Sequence, residues 1–289
     1  MKKIILIVFV VSVFYVNEVT TFAQCSDAGV CSIGGHANEK ESKSLFSISA
    51  SYKFGSSGKD DNVKYHSFQI GALYNVFEKT TLQLAIPYNI QSGPLGDVSG
   101  IGDLIVSVNQ NLLKENKSAL DISVGGKLAT GDDNKNNLPM SYQPGLGSND
   151  FIFALNYSYD QLAVGVGYQL AGGRNENISK LKRGDDLLVR ASYNFLLDKF
   201  TITPQLLFIK RLGKSNTVNL LAAGPMESYI DVDKSDQTQV NLLTQIQYQI
   251  NNNYSLFADF AIPFIKREVN VDGLTRSFSA SVGVKLSIN

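Results

Sequence analysis

Seven charged side chains stand where an alternating pattern turns them all to one face: Asp103, Asp121, Lys127, Asp150, Arg190, Asp259 and Lys285. Each has the opposite parity to the apolar residues of its own stretch. Acids and bases arranged this way can do two things. They can pair and stiffen a wall, or they can line a wet path and select among solutes. The other reactive groups are fewer. Cys25 and Cys31 are the two cysteines, and in an exported chain a disulfide between them is the expectation. Acylation of Cys25 is the alternative, and Gln24 is a poor residue to precede an acylated cysteine. Cys25, Cys31 and His36 offer three metal ligands with no fourth, so no metal is expected. The second histidine, His66, falls on an apolar face, where no serine nucleophile could use it as a base, so neither an enzyme nor a cofactor is expected. Asp132, Asp133, Asp231, Asp233 and Asp236 read as solvated loop carboxylates, since no complete calcium-loop signature surrounds them.

The elements that must position the seven charges are strands. Between 118 and 172 three stretches alternate strictly. Leu120, Ile122, Val124 and Leu128 alternate with Asp121, Ser123, Gly125 and Lys127; Phe151, Phe153, Leu155, Tyr157 and Tyr159 alternate with Asp150 and its polar or small successors. Leu162, Val164, Val166, Tyr168 and Leu170 continue the pattern. A period of two with one uniformly apolar face is the strand signature. A long polar loop, 131 to 147, precedes the second stretch, and a minimal turn at Asp160 and Gln161 follows it. The same rhythm runs from 44 to 289 and yields twelve strands, long loops alternating with short turns; the glycine-rich stretch from Gln91 to Gly100, with Pro94 in it, reads as one of the loops. That is the rhythm of a transmembrane antiparallel up-and-down β-barrel of about 12 strands, with short periplasmic turns and long extracellular loops. Pro204 lacks a donor, so a bulge or a break in pairing is expected beside it.

Aromatic placement separates this reading from a soluble sandwich. Tyr74, Tyr157, Tyr193, Phe200 and Tyr248 fall near the short turns; Tyr52, Phe54, Phe68, Phe151 and Phe208 fall near the long loops. Aliphatic residues lie between. Two aromatic girdles around an aliphatic waist suit two lipid–water interfaces.

The N-terminus carries Lys2 and Lys3, an apolar run from Ile4 to Val16, and Thr21-Phe22-Ala23, which together read as a cleaved secretory leader over 1–23. Residues 24–43 are polar and read as a periplasmic or plug segment. The 26 basic and 26 acidic residues cancel, and no basic stripe invites nucleic acid. Inward positions are rich in Ser and Gly, which leaves room for a narrow path or for an inserted plug.

Three segments carry a further resemblance: Gly102-Asp103, the run Lys127-Leu128-Ala129-Thr130-Gly131-Asp132, and the run Gln143-Pro144-Gly145-Leu146-Gly147-Ser148-Asn149-Asp150. Over roughly 65 to 289 the chain resembles the outer-membrane β-barrel family of phenol-degradation meta-pathway transporters, with Ala129 where that family usually has proline. The resemblance implies a passive channel in the bacterial outer membrane for small solutes, hydrophobic or aromatic ones among them. Its partners would then be outer-membrane lipid and a small-molecule solute. A structural or interaction protein with a shut lumen and partner-binding loops is the alternative. In the motif itself, Gly131 and Gly147 are expected to supply positive φ, and Asp103, Asp132 and Asp150 to accept hydrogen bonds from loop backbone.

Overall fold

The computed structural model describes residues 44–58, 62–221 and 227–288. The leader, the 24–43 segment and the Cys25–Cys31 pair lie outside the described residues. The strands are β1 (Phe46–Ser56), β2 (Lys64–Phe77), β3 (Thr80–Gly93), β4 (Gly96–Ile101), β5 (Leu104–Lys114), β6 (Ser118–Leu128), β7 (Asp150–Tyr159) and β8 (Leu162–Leu170). They continue as β9 (Asp186–Tyr193), β10 (Phe195–Leu197), β11 (Phe200–Arg211), β12 (Asn216–Val218), β13 (Tyr229–Asp231), β14 (Thr238–Gln249), β15 (Tyr254–Ile265) and β16 (Phe278–Ile288).

Every strand pairs antiparallel with its neighbours, and the sheet closes where β1 meets β16, Phe46 opposite Ile288 and Ser56 opposite Phe278. Gly102 and Asp103 interrupt one stave between β4 and β5, and Asn194 interrupts another between β9 and β10. Counted as staves, the closed barrel has twelve. Closure leaves no sheet edge, which a chain in lipid requires because unpaired backbone has no water to turn to. The small β12–β13 hairpin lies off the wall.

The break at Asn194 has a covalent cause. It faces Thr203 and Pro204 of β11, and proline offers no N–H to the ladder. Beside the break the side chains join, Thr203 Oγ1 donating to Asn194 Oδ1 at 2.7 Å, and on the other flank Asn194 N donates to the Gln161 carbonyl at 2.9 Å.

Burial runs inside out. In β7, Phe151 is 54% exposed while Asp150 is 1% exposed, and the alternation continues through Tyr159. An apolar face on the outside and a polar face within is what lipid around the wall selects. Aromatic pairs mark the two rims. Phe200 and Tyr248 lie 4.7 Å apart near the short turns, and Tyr52, Phe54, Phe68 and Phe278 cluster near the long loops. His66 belongs to that outer cluster, its Nδ1 2.6 Å from Tyr52 Oη.

One expected loop is not a loop. The stretch from Gln91 to Gly100 continues the sheet, β3 running to Gly93 and folding back on β4 through Pro94 and Leu95. Glycines in that stretch mark the turn of a hairpin that rises above the main wall.

Candidate functional site

The barrel interior is divided lengthwise. On one side the β6–β7 loop (129–149) and the β15–β16 loop (266–277) fold inward. Met140, Leu146 and Leu274 from these loops, with Leu181 from the β8–β9 loop, pack on Ala85, Ile105, Ile152, Leu188, Leu207 and Ile209 of the wall. Below them the same side is closed by pairs such as Asn111 with Asp121 (2.8 Å) and Arg190 with Asn156 (2.7 Å). On the other side, against β14, β15, β16, β1, β2 and β3, a cavity of about 360 Å³ extends from the level of Ser47 and Lys285 up to that of Gly55 and Ser279.

The two loops form the roof of that cavity and meet at Gly273. There φ is +67°, and a Cβ would come within 2.5 Å of the Ser141 backbone. A side chain is excluded both by conformation and by space. A second tie joins the roof to the wall: the Arg276 guanidinium lies 3.3 Å over the Tyr65 ring.

A belt of buried charge fixes the loops at the long-loop end. Lys127 Nζ lies 2.9 Å from Asp150 Oδ2 and 3.6 Å from Asp103 Oδ2. Arg183 from the β8–β9 loop also pairs with Asp150. Arg211 bridges Asp186, at 3.1 Å, and Asp272, at 2.9 Å. Arg267 reaches Asp272 at 3.6 Å and donates through Nε to Gln239 Oε1 at 3.1 Å. Four cations thus meet four carboxylates, nearly all withdrawn from solvent. Burial alone would raise the Asp272 carboxyl, but the guanidiniums of Arg267, Arg211 and Arg183 outweigh it and hold the group well below the ordinary carboxylate range.

The belt explains the three motif segments. Asp103 accepts from Gly131 N (3.2 Å) and Leu146 N (2.8 Å), so one carboxylate ties both ends of the β6–β7 loop. Asp150 accepts from Gly172 N (3.1 Å), Ser148 Oγ (3.2 Å) and Gln169 Nε2 (2.8 Å). Gln143 folds the loop on itself, donating to the Leu138 carbonyl (2.7 Å) and accepting from Lys135 N (2.8 Å). Asn89 on β3 donates to the Pro144 carbonyl at 2.7 Å. Asp132 differs from the expectation, being exposed and 3.8 Å from Lys135 rather than capping loop donors. Gly147 has the expected positive φ, +66°. Gly131 does not; it is needed because a Cβ there would strike the Ile101 carbonyl at 2.8 Å.

Of the seven inward charges, Asp103, Lys127 and Asp150 come together in the belt. Asp121 and Arg190 belong to the closed side. Asp259 and Lys285 line the cavity, Asp259 accepting from Gln245 Nε2 (2.9 Å) and Ser281 Oγ (2.6 Å). Sequence reading missed Asp186 and Arg211, whose parity, opposite to that of outward Leu187 and Phe208, already turned them inward. It also missed Arg183, Arg267 and Asp272, which lie on loops where parity says nothing. In the loop after β11, Asp233 pairs with Lys214 at 2.7 Å.

No protein-family model matches the chain, and no curated protein matches it. Solved structures do. An outer membrane channel from Pseudomonas putida aligns at 14% identity over 84% of this chain and 95% of that one, TM-score 0.60. The NanC porin aligns at 11% identity over 84% and 100%, TM-score 0.52. The translocator domain of the autotransporter NalP from Neisseria meningitidis aligns at 12% identity over 90% and 93%, TM-score 0.50. At such identities the likeness is one of fold, and the fold is that of the bacterial outer-membrane β-barrel.

Proposed function

We propose that the protein is a passive channel of the bacterial outer membrane for small solutes, with its path along one side of the lumen. The observation that carries this reading is the cavity of about 360 Å³ that spans most of the wall height against β14–β16 and β1–β3. A side-chain-filled barrel would have no such space. The inward positions of these strands are rich in hydroxyl and amide groups, which supports water-soluble cargo, while the roof is apolar. A hydrophobic or aromatic solute, as the family resemblance implies, would find its apolar contacts at Leu73, Leu243 and Phe257 of the wall and at Met140, Leu146 and Leu274 of the roof. Liposome swelling with the purified full chain tests the reading: glycine and small sugars should enter, and liposomes that stay as tight as protein-free ones would refute it.

The alternative, an interaction protein with a shut lumen, draws support from the packed side and the buried belt. Shortening the β12–β13 hairpin, which lies off the wall, should leave swelling intact if the channel reading holds. Partner loss without any solute entry would favour the alternative.

A further inference from the structure

The open wall has an uneven chemistry that narrows the cargo. Its centre is Phe257, an aromatic side chain pointing into an otherwise polar face. The ring lies across Gly283 of β16, where a Cβ would come within 2.3 Å of the ring. Register puts Gln247 on one flank of Phe257, and on the other Gly283, Ser51 and Gln69 follow across three strands. One step towards the long loops stands Asp259, already oriented by Gln245 and Ser281. One step towards the short turns stand Ser255 and Ser49, with Lys285 between them.

Resting on the channel reading above, we propose that this wall is a binding site for an uncharged polyhydroxylated solute of mono- or disaccharide size. Three features select that class. Serine hydroxyls and glutamine amides both donate and accept, as neighbouring sugar hydroxyls do. An ordered carboxylate accepts from two hydroxyls at once, and these charge-assisted bonds are the stronger ones. The aromatic face offers its negative quadrupole to the C–H face of a sugar ring, while water-seeking edges reach the polar rows above and below. The volume, about 360 Å³, lies at the small end of the range of ligand sites. A planar aromatic acid would satisfy Phe257 but leave most of the amide and hydroxyl partners unmatched.

Planar-bilayer recording with D-glucose, sucrose and benzoate added at equal concentrations tests this. Sucrose or glucose should reduce the ion current in a saturable manner, and benzoate should not. Phe257→Ala should raise the half-blocking sugar concentration about ten-fold while ion current persists. Phe257→Leu, which keeps apolar bulk over Gly283, should shift it in the same direction. Ion current that neither sugar perturbs would overturn the inference and leave the channel reading standing. Equal block of wild type and both variants would also overturn it. Absence of any ion current would defeat the channel reading, and the inference with it.

Discussion

Lys127 and Asp150 face each other across the β6–β7 ladder, paired in register, with Nζ 2.9 Å from Oδ2 and both side chains shut off from water. This pair stands at the base of the inward loop that splits the lumen, so its chemistry bears on the shape of the path as well as on stability.

Removing one partner of a buried pair leaves an uncompensated charge. Asp150→Ala removes the pair of Arg183, leaves Lys127 only the more distant Asp103 at 3.6 Å and frees the Gly172 amide, so a loss of about 3–5 kcal/mol is expected. Denaturant unfolding in detergent measures it. Asp97→Ala, on the exposed β3–β4 hairpin, should stay within about 0.5 kcal/mol of wild type. Equal effects of the two substitutions would show that the belt does not bear on stability.

The roof should open when its junction is pried apart. Gly273→Val places side-chain atoms on the Ser141 backbone at a positive φ, a conflict worth about 1–3 kcal/mol. Cleavage by added protease between 132 and 146 should accelerate, and ion current should rise. A variant as resistant and as conductive as wild type would show that the loops are not locked together at this point.

Acid should weaken the belt only at low pH. The Asp272 carboxyl is depressed in the folded chain, so its contribution is present above the unfolded value, about 3.9, and is lost as pH falls through the folded one. Stability measured by denaturant midpoint should therefore vary little from pH 8 to 5 on this group's account and decline below about 4. Asp272→Asn should already be destabilised at pH 7 and should show less of the acid decline. A wild-type decline centred near pH 6 would not fit.

The staves were legible because lipid outside and water inside force strict alternation, and Phe151 to Tyr159 show it residue by residue. The lengthwise division was not. Met140, Leu146, Leu181 and Leu274 occur singly in polar loops, where no period marks them as buried. Five members of the belt were within reach of parity, namely Asp103, Lys127, Asp150, Asp186 and Arg211, since all are inward at the loop ends of their staves. Their partners Arg183, Arg267 and Asp272 become visible only when the loops are placed. Glycines misled in the β3–β4 region because a tight hairpin and an irregular loop use the same residues.

Single-channel recording of wild type beside two lumen-filling variants bears most directly on the path. Ser51 lies on the open wall and Ala163 on the closed side. Discrete conductance steps are expected for wild type, a several-fold smaller step for Ser51→Trp, and an unchanged step for Ala163→Trp, each variant first shown to fold by its heat-modifiable gel mobility. An electrically silent wild type, or equal loss of conductance in both folded variants, would contradict a path along the β14–β3 wall.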